Sequence, residues 1–260
     1  MCPTIDTTPW STLTLEVHPM RRALAFLTVG TLGATLVYRI LLYERVRDWG
    51  ARPDEVARRL PGDDLLADAA MVSTRAITID APASAIWPWL IQMGPGRAGA
   101  YTYDWIENLF GLDMHSADEI VPRWQSMQVG DAWRLGKDQA LRAEIVEPGQ
   151  ALVVRSQDGG WVWAFVLAPE GEATRLLSRN RMVVKGGALA HLAMTYLMVP
   201  GSLVMERKML LGIRNRAEKL AREHPEGERP IAAGPGPAAA PGPAEPGGLV
   251  AGPRLGHAGR

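Results

Sequence analysis

The residues best suited to chemistry lie close together. His115 has Asp113 two positions before it and Asp118 three after it, with Asp104 and Glu107 a little upstream. A histidine flanked by carboxylates supplies either a general acid or base or one corner of a metal site. The metal option fails on spacing: DMHSAD matches no standard ligand pattern and no second histidine stands near. No metal is expected. His115 stays open between a proton-moving role, with Asp104 or Glu107 as the alternative groups, and a hydrogen-bonded structural one. SADE, Ser116 to Glu119, matches a capping box, which assigns both of its ends to structure. The only cysteine is Cys2, so disulfides, cysteine nucleophiles and cysteine-ligated zinc are excluded from the folded part. No nucleophile elbow, phosphate-binding loop or dinucleotide fingerprint occurs, and the glycines of GPGRAGA do not follow a strand pattern. No cofactor is expected.

The same segment is rich in aromatics. Tyr101, Tyr103 and Trp105 fall within five residues, Trp124 closes the stretch, and seven of the nine tryptophans lie between Trp87 and Trp163. The four named aromatics read as the rim or lid of a pocket, with every one of them also able to serve as ordinary core. In WVWAFVL, alternation places Trp161, Trp163, Phe165 and Leu167 on one face. In ATRLLSRNRMVVK it sends Arg175, Arg179, Arg181 and Lys185 toward solvent, with Leu176, Ser178, Asn180, Met182 and Val184 opposite. Inward Ser178 and Asn180 need partners, either a ligand's polar group or each other, water and backbone. Trp163, Phe165 and Met182 with the last helix would form the wall, and Met194, Met198, Met205 and Met209 would make it adaptable.

These side chains must be positioned by elements that the periods reveal. RAITID alternates as a strand, and APASAIWPWLIQMG reads as a helix kinked or interrupted at Pro88. DAWRLG, QALRAEIVEPGQ, ALVVRSQDGG, WVWAFVLAPEGE and ATRLLSRNRMVVKGG are strand-length runs closed by turn residues, an antiparallel meander. SLVMERKMLLGIRNRAEKLARE carries Leu203, Leu210, Ile213, Ala217 and Leu220 at helical spacing, with Ser202 at the N-cap position. The fold class is α+β, an antiparallel sheet with a long C-terminal helix across it. RPDEVARRLPGDDLL predicts a short connecting helix with a solvated charged face.

Ahead of this domain, Ala23 to Tyr38 carries no charge. As a helix extended to Tyr43 it spans about 31 Å, enough for a bilayer core. Tyr38 and Tyr43 would sit at the interface, and Arg39 near the end could snorkel. No small-x-small site precedes YERVRDWG, which argues against a cleaved signal. The arginines after the span outnumber those before it, so the main domain is expected on the cytoplasmic side of a cell membrane crossed once. GGALAHLAMTYLMVPGSLVM is also uncharged, but Pro200-Gly201 should interrupt it, and a second span is rejected. The expected organisation is a loose tail over 1–20, a transmembrane helix over 21–43, a connector over 44–71, the α+β domain over 72–224 and a disordered Pro/Gly/Ala-rich tail over 225–260. Across the 260 residues, 28 basic and 28 acidic side chains cancel. That balance gives no footprint for nucleic acid as a partner.

WGARPDEVARRLPGDDLL, TRAITIDAPASAIWPWLIQMG, YTYDWIENLFGLDMHSADEIVPRWQSMQVGD and VMERKMLLGIRNRAE together resemble actinobacterial, membrane-anchored members of the SRPBCC superfamily, over roughly Trp49 to Glu223. This is the helix-grip fold of START lipid-transfer domains and polyketide cyclases. The resemblance implies an apolar cavity between sheet and helix, and no shared catalytic residue set. It favours binding of a hydrophobic or amphipathic small molecule (a lipid, isoprenoid or polyketide-like compound) by Tyr101, Tyr103, Trp105, Trp124, Trp163, Phe165, Ser178, Asn180 and Met182. The alternative is an enzyme of cyclase, aromatase or dehydratase type using His115, Asp104 or Glu107. A third reading is a protein-interaction or co-chaperone-like module docking through the basic strand face or the connector.

Overall fold

In the computed structural model, which describes residues 17–109, 111–135 and 139–224, three helices lead into a sheet. They are α1 (Val17–Val37), α2 (Tyr43–Arg47) after a π-helical turn at Tyr38–Leu42, and α3 (Pro53–Ala57). Strands β1 (Met71–Ile79), β2 (Ala132–Leu135), β3 (Gln139–Glu147), β4 (Ala151–Ser156), β5 (Trp161–Glu170) and β6 (Ala173–Met182) follow. All neighbours pair antiparallel, in the order β1-β6-β5-β4-β3-β2. The first strand thus pairs with the last, and the chain between β1 and β2 crosses to the far edge carrying α4 (Ala83–Ile91) and α5 (Asp104–Leu109). After β6 come α6 (Ala188–Ala193), a π-helical turn (Met194–Met198) and α7 (Val199–Glu223).

The core forms where the strands' apolar parity meets two helix stripes. Ile77, Ile79, Leu152, Val154, Phe165 and Leu176 are buried against Ile86 and Leu90 of α4 and Met209, Leu210, Ile213 and Ala217 of α7. Residues on α7 recurring every three or four positions form one face, as helical geometry requires. α4 continues through Pro88 without interruption, with six of its residues buried by this packing. Gly212 lets the inserted segment sit tight on α7: an added Cβ would lie 2.6 Å from the Tyr101 carbonyl oxygen.

The other sheet face is not the solvated basic surface that alternation predicts. The connector lies over it. Arg179 is 3 % exposed, and its guanidinium donates to Thr74 Oγ1, the Arg58, Glu55 and Val56 carbonyls and Asp63 Oδ2, at 2.7–3.0 Å. Arg175 donates from Nε to Glu55 Oε1 at 2.8 Å and from Nη2 to Glu55 Oε2 at 2.9 Å. Arg181 reaches the Leu66 and Ala67 carbonyls and Asp63. Only Lys185 of the four stays exposed, paired with Asp158. The connector's Glu55 is therefore buried rather than part of a solvated face. Burial pushes its carboxyl up, but the Arg175 hydrogen bond, the Arg52 backbone N–H and the two arginine charges outweigh that and leave it below the ordinary range. Leu60, Leu65 and Leu66 fill the spaces between, against Leu177, Val153 and Val162. A docking role for the basic strand face is closed off, because its arginines already have partners.

The helices Arg21–Arg47 and Ala188–Glu223 are each long and apolar enough to cross a membrane. They touch: Tyr38 OH donates to the Thr195 carbonyl at 3.0 Å, and the Tyr38 and Tyr196 rings lie 5.3 Å apart. α1 begins at Val17, inside the stretch expected as a loose tail. The tail over 225–260, and residues 1–16, lie outside the described residues. Pro200-Gly201 does not interrupt the second helix, since α7 continues directly from the π-turn through a helical Met198. Ser202 is consequently not an N-cap, and its hydroxyl donates back to the Val199 carbonyl at 2.9 Å. Arg75 binds that carbonyl and Ser202 Oγ as well. From Val199 onward the helix is tied to β1 through Arg75.

Candidate functional site

The inward face of the sheet and α7 do not close completely on each other. Between the ends of β1, β5 and β6, the first turns of α7 and the inserted segment lies a cavity of about 240 Å³. Met71, Met93, Met114, Met182, Met205 and Met209 line it. Trp161 and Trp163, stacked at 5.6 Å with 21° between their planes, form one wall. Thioethers and indoles give a surface that is apolar yet deformable. A sheet wrapped on a long C-terminal helix with an apolar cavity between them decides the architecture. The chain has a helix-grip fold.

No family model matches the sequence, and no curated protein matches it. Solved structures similar to it include protein MLL2253 from Mesorhizobium loti (14 % identity, 57 % of this chain and 98 % of that one, TM-score 0.35). The Polyketide_cyc-like protein Cgl2372 from Corynebacterium glutamicum aligns at 16 % identity over 60 % of this chain and 96 % of its own, TM-score 0.33. Aha1 from Colwellia psychrerythraea aligns at 15 % over 51 % and 92 %, TM-score 0.30. At these scores the likeness carries no weight of its own, and the helix-grip assignment stands on strand order, register and the gripped helix.

One side of the helix-grip cavity is a buried polar network. Glu206 of α7 forms an ion pair with Arg75 of β1, and Ser178 Oγ donates to Glu206 Oε1 at 2.6 Å. Trp163 Nε1 donates to Ser178 Oγ at 2.8 Å and Trp161 Nε1 to Asn180 Oδ1 at 2.9 Å, while Asn180 Nδ2 turns toward Glu206. Complete burial pushes the Glu206 carboxyl upward, and the Arg75 charge and the Ser178 hydroxyl pull it back. Ser178 and Asn180 thus have their partners in Glu206 and the two indole N–H groups. Arg75 and Glu206 were legible by parity: Arg75 shares its face with Ile77 and Ile79, and Glu206 precedes Met209, Leu210 and Ile213 at helical spacing.

The other side is Glu107 and Thr102, from the inserted segment. Glu107 is 8 % exposed, and Glu107 Oε2 and Thr102 Oγ1 complete no hydrogen bond among the described residues. Burial raises the Glu107 carboxyl above its ordinary range; the nearby Thr102 hydroxyl opposes this, and the Asp104 charge adds to it.

The structure separates the remaining candidates. Trp163, Asn180, Met182 and Glu107 line the cavity. Ser178 and Phe165 are fully buried behind it, the Phe165 ring 4.7 Å from that of Trp163 and tilted 42° to it. Tyr101 is core rather than rim: its hydroxyl donates to the Trp89 carbonyl at 2.9 Å and receives Gln92 Nε2 at 3.2 Å. Tyr103 lies under Lys208 Nζ at 5.7 Å, Trp124 packs on the core edge beside Arg123, and Trp105 is 70 % exposed. None of these four lines the cavity.

Of the proton-moving candidates, His115 is exposed, 3.5 Å from Asp113, and away from the cavity lining. Asp104 is spent on Ser116, accepting its backbone N–H at 2.7 Å and its hydroxyl at 2.6 Å. Ser116 thus caps no helix; residues 112–117 are irregular chain. Among the described residues no three His, Cys, Asp or Glu side chains converge as a metal set.

Proposed function

We propose that this protein is a membrane-anchored binder of a compact, mostly apolar small molecule, held in the helix-grip cavity. The observation that carries the reading is the cavity itself, a methionine- and tryptophan-lined space inside an otherwise packed core. At about 240 Å³ it falls between the ~150 Å³ that accommodates benzene and the ~300 Å³ where drug-sized pockets begin. That size favours an isoprenoid or polyketide-like ligand over a whole diacyl lipid. Trp163, Asn180 and Met182 would contact it.

The apolar surface of α1 supports the anchor: Phe26 is 79 % and Leu27 71 % exposed, and such a surface is costly to leave in water. Met71, Trp161 and Met182 at the strand ends line the cavity, and the chain leaves Met182 toward α6, whose following π-turn contacts Tyr38. Exposed Leu189, Leu192 and Leu197 of that second helix would rest at the bilayer interface. Arg39, Arg45, Arg47 and Arg52 at and after the span support a cytoplasmic domain.

The test is native mass spectrometry of the full chain in nanodiscs, followed by solvent extraction. A discrete co-purifying compound of this size class is the expected result. A folded protein that carries nothing and takes up no neutral hydrophobic fluorophore would overturn the reading. A second reading, proton transfer of the cyclase or dehydratase kind, is favoured by the raised carboxyl of Glu107 at the cavity. It is distinguished by a chemical change in the extracted compound that Glu107→Gln abolishes without loss of binding.

A further inference from the structure

We propose that the cavity selects ligands bearing a hydrogen-bond donor, an O–H or N–H on an otherwise apolar body, through Glu107 Oε2 and Thr102 Oγ1. The inference deepens the binding reading and rests on it. Asn180 of β6 has Trp161 and Glu206 as partners, and Ser202 of α7 has Val199 and Arg75. Glu206 is held by Arg75 and Ser178. The inserted segment is different. It brings a carboxylate and a neighbouring hydroxyl to the same apolar space, and Glu107 Oε2 and Thr102 Oγ1 complete no hydrogen bond among the described residues.

A buried carboxylate oxygen accepts and never donates, so what completes it is a donor. A threonine hydroxyl does both, so it serves a ligand hydroxyl or an ammonium equally. A ligand carboxylate would meet Glu107 as a like charge in a medium of low dielectric and be rejected. A pure hydrocarbon would leave both oxygens dry and unpaired. Selection by a single polar contact inside an apolar pocket is strong because the unmatched ligand loses the contact and strands the site's own groups.

The experiment compares naphthalene, 2-naphthol, 2-(aminomethyl)naphthalene and 2-naphthoate, displacing N-phenyl-1-naphthylamine from the full chain in nanodiscs, with empty nanodiscs as blank. 2-Naphthol or the ammonium should bind about ten-fold tighter than naphthalene, and 2-naphthoate weaker than naphthalene. The ratio of the first two tells a hydroxyl from an ammonium as the natural donor. In Glu107→Leu the preference should collapse while naphthalene binds at least as well; Thr102→Val should reduce it in part. Equal binding of all four by the wild type would overturn the donor proposal, leaving the pair to a resident water, while the cavity reading stood. A preference that survives Glu107→Leu would overturn it as well, by placing the contact elsewhere. Failure of the fluorophore to bind at all would instead bring down the cavity reading.

Discussion

Strand β6 has two faces, and the protein finishes them in opposite ways. On the connector side, Arg179 spends its guanidinium on five acceptors and Arg175 is locked to both oxygens of Glu55. On the α7 side, Arg75 pairs with Glu206 but keeps Nε unpartnered, and beyond it the cavity holds Glu107 and Thr102 with oxygens unmatched. Both faces bury charge, but Arg175 and Arg179 of β6 complete their pairing, whereas the groups beside the cavity do not. Buried charge with every hydrogen bond made fixes a structure, whereas a buried polar atom left unmatched beside empty space is where a second molecule fits.

The contrast is broken most severely by Arg179→Ala, which strands three connector carbonyls and takes from Asp63 the nearer of its two arginines. A loss of about 3–5 kcal/mol in unfolding free energy is expected, read by denaturant titration of the full chain. Glu55→Gln should cost less, and it carries a pH signature. Because the Glu55 carboxyl lies below its ordinary value of 4.5, its contribution is present above that pH and fades as pH falls through the lower folded value. Wild type should lose stability on acidification in that window, and the variant should lose less of it. An identical acid limb in both would show that the Arg175–Glu55 pair is not what holds the connector.

On the cavity side the sign reverses. The Glu107 carboxyl is raised, so its ionisation opposes folding as pH rises from 4.5 toward the folded value. Glu107→Leu should therefore be more stable than wild type at neutral pH by about 1 kcal/mol, a gain that shrinks in acid. A destabilised variant would mean Glu107 is structural after all. Smallest is His115→Ala: with the ring exposed, both stability and ligand affinity should stay within about 0.5 kcal/mol of wild type.

Much of the fold was legible because its signals are local. Alternation located the strands, Gly and Pro marked the turns, and α7 declared its buried face through Leu210, Ile213 and Ala217. The site was less legible because it depends on contacts between distant segments. Nothing near Arg175 or Arg179 reveals that residues 50–67 will cover them, so alternation alone sends them to solvent. His115 gathered attention from neighbours in sequence, Asp113 and Asp118, that the loop leaves in water or turns toward Arg216. Tyr101 looked like a rim aromatic, and the missing side chain of Gly212 makes the notch that draws it inward. The Arg75–Glu206 pair was readable from parity and helical spacing. Reading it required accepting charged residues on apolar faces.

The junction between α2 and the sheet has a consequence for traffic. Asp48, one residue past the helix, already accepts the Thr74 backbone N–H, and Trp49 O accepts that of Ala76. No slack separates the first helix from the domain. Under the membrane-bound reading the pocket sits at a fixed height, a turn or two from the lipid surface, and its search for cargo is confined to two dimensions. Such a molecule is a stationary berth, one that receives and presents cargo where it stands, and it cannot serve as a ferry between membranes.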